Sequence, residues 1–101
     1  MTAKVLNPTE LQQSLNDLNR DAAQDWALVN NCLSRRFRFP DFVSAFGFMT
    51  RVAMHAEKLN HHPDWSNVYG TVNVSLTTHE AGGITATDFK LARTMERLAA
   101  E

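Results

Sequence analysis

Three of the four histidines in this sequence fall where structural elements are predicted to end. His61 and His62 stand directly before Pro63, and His79 follows an alternating apolar and polar stretch. Imidazole is the side chain that gains or loses a proton near neutral pH, which suits it to general acid–base catalysis. Because the proline ring restricts the residue before it, the backbone of His62 is expected to be extended and fixed. The competing interpretation is a helix end that carries two solvent-exposed rings.

A metal centre is the competing chemistry for these side chains. Three histidines together with Asp88 supply nitrogen and oxygen ligands of the kind that zinc binds. The adjacent His61 and His62 lack the i, i+4 separation with which a helix presents two ligands to one ion, so no metal is expected. Asp88 also stands at the third position after Thr85, as a helix-capping partner does. His55 lies within an apolar helical pattern and is assigned no role.

Other classes of function lack their sequence signals. The formal net charge of −1 gives no field that would gather nucleic acid, although arginine and phenylalanine interleave over Arg35–Phe39. We interpret that stretch as a sheet face exposed to water. Cys32 is the single cysteine, so no internal disulfide forms and a cytoplasmic location is expected. We find no membrane-spanning run, no serine-nucleophile motif and no glycine loop that would hold a phosphate.

The first half of the chain predicts a helix followed by a hairpin. Asn7-Pro8-Thr9-Glu10 contains a capping residue, a proline at the first helical position and a glutamate that reaches back to the cap. This helix is expected to end near Arg20 to Ala23. A short strand over 26–29, a turn at Asn30-Asn31 and an alternating strand over 35–39 then form a hairpin with one wet face.

A second helix begins after Asp41, which can cap it, and ends near Asn60. The apolar face of this helix is predicted to hold Phe42, Phe46, Met49, Val52, Ala53 and Ala56. Residues 65–69 and 71–77 are expected strands, and the second of these buries Val72, Val74 and Leu76. By strand parity, His79 shares the polar face of that second strand.

A third helix follows Gly82-Gly83. Thr85 to Asp88 has the spacing of a capping box, and the helix then buries Phe89, Ala92, Met95 and Ala99. The order of helices and strands predicts one α+β domain over residues 1–101. We expect a two-layer sandwich in which a four-stranded antiparallel sheet has three helices packed on one face.

The residues singled out above share the spacing of a known family signature. The pattern Glu57-x3-His61-His62-Pro63-x5-Tyr69-x9-His79-x8-Asp88 resembles the pterin-4a-carbinolamine dehydratase family at every position. The segments Phe39 to Phe42, His62 to Trp65, Asn67 to Tyr69 and Gly83 to Thr85 also resemble family segments. Gly70 is one departure, because a larger polar residue is expected after the tyrosine.

The resemblance implies a specific reaction. Members of this family remove water from 4a-hydroxytetrahydropterin, the spent cofactor of aromatic amino acid hydroxylases, and so the pterin is a substrate and no cofactor is expected. His61, His62 and His79 match the family's catalytic histidines. We expect His62 and His79 to act as the acid–base pair, with His61 holding the hydroxyl group or the ring. The residues expected to contact substrate are Glu57, Pro63, Trp65, Thr78, Glu80 and Asp88.

The resemblance also implies partners. We expect a homodimer or homotetramer, in which an edge strand such as Thr71–Thr77 pairs with its copy. An aromatic amino acid hydroxylase is a further expected partner, and neither nucleic acid nor membrane is expected. Animal relatives also bind a homeodomain transcription factor, so the alternative function is a non-catalytic interaction module. Trp65 and Tyr69 are candidates for stacking on the flat pterin, although large aromatic side chains are more often buried in a core.

Overall fold

A computed structural model describes residues 4–101 as three helices and a four-stranded antiparallel sheet. The elements are α1 (Pro8–Asp21), β1 (Ala27–Val29), β2 (Cys32–Arg38), α2 (Phe42–Leu59), β3 (Asp64–Val68), β4 (Thr71–Leu76) and α3 (Ala86–Ala99). The predicted α+β sandwich is confirmed, with α2 and α3 against the sheet and α1 packed on α3. Among residues 4–101, no helix is long and apolar enough to cross a membrane.

The sheet has the strand order β1-β2-β4-β3, with every neighbouring pair antiparallel. The prediction that Thr71–Thr77 forms an edge strand was therefore wrong. β3 and β4 form a hairpin around Tyr69-Gly70, and β2 pairs with the opposite side of β4. Since both sides of β4 are hydrogen-bonded, this strand has no free edge with which to pair a second copy.

The two faces of the sheet differ in polarity. Leu33 and Phe37 of β2 and Val72, Val74 and Leu76 of β4 are buried beneath the helices. On the outer face, the Ser34 and Ser75 hydroxyls hydrogen-bond across the strands at 3.2 Å. The Arg36 Nε donates to Asn73 Oδ1 at 2.9 Å on the same face. The predicted alternation of both strands is confirmed.

The helices that bear the histidines have well-defined ends. The Asp41 carboxylate accepts a hydrogen bond from the Ser44 backbone N–H at 2.7 Å and starts α2, and this bond holds the pKa of Asp41 below its usual value. At the other end Asn60 adopts a left-handed conformation with φ 51°, and the His61 N–H closes back on the Ala56 carbonyl. The Asn60 N–H also donates to the Glu57 carbonyl at 3.1 Å. The bonds of Asn60 and His61 form a Schellman motif, which directs the chain out of α2 immediately before the histidines.

The buried face of α2 matches the predicted one at Val52 and Ala56 and differs from it at Phe42, Phe46 and Ala53. Ala45, Phe48, Val52 and Ala56 are buried, whereas Phe42 is 48% and Phe46 is 54% exposed, and Ala53 is also exposed. Apolar residues cover two neighbouring arcs of this helix, so periodicity alone does not identify the arc that meets the sheet. Phe48 identifies the buried arc, because the centre of its ring lies 4.9 Å from the ring centres of both Phe37 and Phe39. The other arc remains as an exposed apolar stripe.

One partly buried ion pair connects the sheet to α3. The Glu96 carboxylate accepts hydrogen bonds from Arg35 Nη1 and from Trp26 Nε1, the latter at 2.9 Å. The side chains of Arg35 and Glu96 are only 8% and 15% exposed. The Arg35 guanidinium also stacks 3.9 Å from the centre of the Phe37 ring. Three elements therefore depend on one carboxylate.

Replacing Glu96 with Ala is expected to lower the free energy of unfolding by about 3 kcal/mol, because it leaves the buried Arg35 charge without its partner. Urea denaturation followed by circular dichroism measures this. The matched control is Arg20→Ala, which breaks the exposed pair with Asp17 and should change the stability by less than about 0.5 kcal/mol. Equal losses of stability in the two variants would contradict the claim that burial makes the Arg35–Glu96 pair the stronger one.

Candidate active site

His61 is the most enclosed of the site histidines. The Schellman motif at the end of α2 turns it inward, and it is 8% exposed. Its Nε2 atom lies 2.5 Å from Oδ1 of Asp88, which belongs to the first turn of α3. The contact joins residues that are far apart in the sequence, so it fixes the end of α2 against the beginning of α3.

Asp88 is completely buried, and its second oxygen is also hydrogen-bonded. Oδ2 accepts from the Thr85 backbone N–H and from the Thr78 hydroxyl, each at 2.9 Å. The Thr78 and Thr85 hydroxyls are themselves 2.8 Å apart. The capping interaction predicted between Thr85 and Asp88 is thus present, and the same carboxylate also holds His61. Asp88 therefore caps α3 and holds His61 at the same time.

The direction of these hydrogen bonds follows from the donors available. An ionised carboxylate only accepts hydrogen bonds, so the Thr78 hydroxyl uses its one O–H to donate to Asp88. The Thr85 hydroxyl must then donate to Thr78, while it accepts from the Thr87 N–H at 3.3 Å. By the same reasoning, His61 donates through Nε2–H to Asp88. In the neutral ring this leaves Nδ1 without a proton, as the acceptor available to a ligand.

Thr85 was not predicted as a site residue, and Thr78 was predicted to contact substrate. The structure directs the Thr78 hydroxyl to Asp88, where it orients the carboxylate that orients His61. The capping-box spacing of Thr85 and Asp88 was the available signal for Thr85. The contact of Thr78 had no local signal, because it depends on how the turn after β4 folds over the start of α3.

His62 points in a different direction and has a different partner. Its Nε2 lies 2.8 Å from Oε1 of Glu57, one turn earlier on α2. Both side chains are largely exposed, at 60% and 80%. Glu57, which was expected to contact substrate, therefore pairs with His62. An exposed carboxylate can bias the orientation of this ring while water and a ligand still reach it.

His79 lies in a turn and not on a strand. β4 ends at Leu76, and the turn is closed by Thr78 N–H donating to the Gly83 carbonyl at 3.0 Å, with Gly82 at φ 82°. Strand parity therefore does not extend to His79. His79 and Glu80 are exposed, and within residues 4–101 their side chains make no hydrogen bond. Thr78, the residue before His79, ties this turn to Asp88.

The remaining predicted contacts divide between the two ends of the sheet. Pro63 is half-buried beside the histidines, and Trp65 is half-buried on the inner face, paired with Val74 of β4. Tyr69 is 66% exposed in the turn between β3 and β4. That turn lies at the opposite end of β4, roughly 20 Å away along the strand. Tyr69 therefore does not adjoin the histidine turn of its own chain.

No group of three or more His, Cys, Asp or Glu side chains among residues 4–101 is arranged to hold a metal ion. His61 and His62 each direct Nε2 at a carboxylate, on different sides of the turn. The arrangement supplies one enclosed ring with a fixed orientation and two exposed rings on neighbouring turns. That is a set of proton donors and acceptors around an open surface.

The sequence pattern described as Pterin 4 alpha carbinolamine dehydratase matches residues 4–98. The chain belongs to this family. A relative from Solibacter usitatus is 51% identical over 100 residues, which cover 99% of each chain. A relative from Rhizobium johnstonii is 49% identical over 100 residues, which cover 99% of this chain and 96% of the relative. Both relatives are named "Putative pterin-4-alpha-carbinolamine dehydratase".

Solved structures agree with this family assignment. The crystal structure of a transcriptional coactivator/pterin dehydratase from Brucella melitensis has a TM-score of 0.87 and 42% identity, and the match covers 95% of this chain and 99% of that one. A pterin dehydratase-like protein described as a RuBisCO assembly factor in the alpha-carboxysome has a TM-score of 0.67 at 21% identity, covering 78% and 94%. The second likeness shows a shared fold. The predicted family is confirmed.

Replacing Asp88 with Ala is expected to lower the free energy of unfolding by about 3 kcal/mol, since His61, Thr78 and the Thr85 N–H all lose an acceptor inside the protein. Chemical denaturation measures the loss. The matched control is Glu57→Ala at the exposed histidine pair, where we expect a change below about 0.5 kcal/mol. An Asp88→Ala variant as stable as the control would show that the buried contacts contribute little.

Proposed function

We propose that this protein dehydrates 4a-hydroxytetrahydropterin to quinonoid dihydropterin. In this reaction the bond between C4a and the hydroxyl oxygen breaks, N5 loses its proton, and a C4a=N5 double bond forms. One group must protonate the departing hydroxyl, and another must accept the N5 proton. Since one proton is given and one is taken, the catalyst ends in its starting charge state and no redox partner is needed.

The pairing of His61 with buried Asp88 is the observation that carries this proposal. It presents an imidazole whose orientation is fixed and whose Nδ1 is free to accept a hydrogen bond. We assign His61 to holding the hydroxyl group or the pterin ring. Preorganised groups of this kind lower a barrier because they need no rearrangement during the reaction.

We assign proton transfer to His62 and His79. Both rings are exposed and lie on neighbouring turns. Imidazole is suited to donating and accepting protons near neutral pH. Glu57 orients His62, and Pro63, Trp65 and Glu80 contribute substrate contacts around the rings. Thr78 acts with Asp88 in placing His61.

The proposed setting is the recycling of tetrahydropterin after an aromatic amino acid is hydroxylated. The hydroxylase is then the proposed source of substrate and a proposed partner, in the cytoplasm. The pterin is the substrate, and the proposal includes no resident cofactor or metal.

A non-catalytic interaction module is the second candidate function. The exposed apolar stripe of α2 favours it, because contiguous exposed apolar surface marks interaction sites. The stripe includes Phe42, Val43, Phe46 and Met54, which are between 48% and 79% exposed. The relatives described as a transcriptional coactivator and as an assembly factor are compatible with such a use of the fold.

The α2 stripe also leads us to propose that the protein is a homodimer or homotetramer held through this helix. Phe46→Glu places a charge at the middle of the stripe and is expected to produce monomers, which light scattering after size-exclusion chromatography measures. The matched control is Gln13→Glu, which adds the same charge at an exposed polar position of α1, outside the stripe. A monomeric unmodified protein would contradict the proposal.

The dehydratase proposal is tested by stopped-flow absorbance with chemically generated 4a-hydroxytetrahydropterin. We expect the unmodified protein to accelerate dehydration over buffer. We expect His62→Ala and His79→Ala each to lower the catalysed rate by about a hundredfold, the contribution typical of one general acid or base. His55→Ala is the control, because this half-buried histidine lies on α2 away from the turn.

Two outcomes distinguish the candidate functions. Unchanged dehydration after removal of both His62 and His79 would contradict the catalytic assignment. Absence of any acceleration by correctly folded, unmodified protein would reject the dehydratase and favour the interaction module.

A further inference from the structure

A groove lies at the end of the α2–α3 helix pair opposite the histidines. This groove has a volume of about 1190 Å³ and is bounded by the end of β2, the first half of α2, the last half of α3 and the end of α1. None of the histidines lines it. The histidine site adjoins the first turn of α3, and a helix of 14 residues is about 21 Å long. The groove is therefore separate from the proposed dehydration site.

The groove concentrates arginine in a protein whose formal net charge is −1. Its lining includes Arg35, Arg38, Arg51, Arg93 and Arg97. Arg35 is paired with Glu96, whereas the other four have no carboxylate partner among residues 4–101. Of the acidic residues that line the groove, Glu96 and Asp17 are already paired, which leaves Asp21 and Glu101. The unpaired side chains thus favour an anion.

Two of these guanidinium groups have unused hydrogen-bond donors. Arg35 bonds through Nη1 and Arg51 through Nη2, the latter to the Leu98 carbonyl at 3.4 Å. The Nε–H of each is buried and has no acceptor. A buried donor without a partner costs free energy. Arg35 is held by Glu96, but Arg51 has only its long bond to Leu98, so an anion that draws the Arg51 guanidinium toward the groove would relieve that cost.

Gly47 is a second, independent indication of a ligand. It lies inside α2, where glycine is less favourable than alanine, and it lines the groove. A Cβ added there would meet only Arg51 Nη1, at an ordinary contact distance of 3.6 Å. Packing within this chain therefore does not require glycine. A ligand that approaches the helix backbone closely would require it.

Aromatic and aliphatic side chains form the rest of the wall. Phe37 and the half-buried Phe39 stack with their ring planes 12° apart, and Val43 and Leu18 also line the groove. Guanidinium groups and aromatic rings both pack against flat unsaturated groups. The wall thus fits a flat apolar body attached to the anionic group.

We propose that this groove binds an aromatic carboxylate, with the carboxylate at Arg51 and the ring against Phe39 and the backbone at Gly47. The site requires neither the histidines nor the proposed reaction.

The test is an NMR titration with 2-naphthoate as the probe, following backbone amides and the arginine Nε–Hε signals. We expect the signals of Gly47 and Arg51 to shift, and we expect the neutral 2-naphthamide to leave them unchanged. Arg51→Gln and Arg93→Gln are expected to weaken binding about tenfold, the loss typical of one charge-assisted contact. Arg36→Gln is the control, since Arg36 lies on the outer face of the sheet and does not line the groove.

Gly47→Ala distinguishes a binding role from a structural one. We expect this variant to raise the midpoint of thermal unfolding and to weaken 2-naphthoate binding about tenfold. Equal binding of the naphthamide, unchanged affinity in Arg51→Gln and Arg93→Gln, or shifts confined to Phe42, Phe46 and Met54 or to the histidine turn would each overturn the proposal. Unchanged affinity in Gly47→Ala would overturn the assigned position of the ring.

Discussion

The carboxylate of Asp88 is the constraint on which the arrangement of this site depends. It is completely buried and accepts from an imidazole, a hydroxyl and a backbone N–H. Those donors come from the end of α2, the turn after β4 and the start of α3. A buried carboxylate must find such donors, because an unpaired charge inside a protein is costly. The same requirement that completes the helix cap therefore also orients His61.

The two ends of the α2–α3 pair have different surfaces. At the histidine end both buried oxygens of Asp88 are hydrogen-bonded, and the rings of His62 and His79 are exposed. At the other end the arginines exceed the carboxylates that pair with them, and α2 contains Gly47 in its interior. Between these ends, α2 presents one apolar arc to the sheet and another to the surroundings. One helix thus contributes to the candidate active site, the core and an exposed apolar surface.

The sequence predicted those features that depend on neighbouring residues. Capping of α1, α2 and α3, the alternation of β2 and β4 and the end of α2 before His61 all follow from short-range chemistry, and all are present. The errors concern long-range partners. The central place of β4 depends on which strands pair, and the buried arc of α2 depends on where Phe48 meets Phe37. For the same reason Thr85 was missed and Tyr69 was placed near the histidines.

The protonation of the two His61 nitrogens tests the central claim most directly. Long-range nitrogen–proton correlation NMR distinguishes the tautomers of the neutral ring. If Asp88 fixes His61 as described, the unmodified protein carries the proton on Nε2. In Asp88→Asn, an amide whose oxygen keeps accepting from Thr78 and the Thr85 N–H turns its NH2 toward the ring, and the proton moves to Nδ1. A proton on Nδ1 in the unmodified protein, or one tautomer in both proteins, would contradict the account.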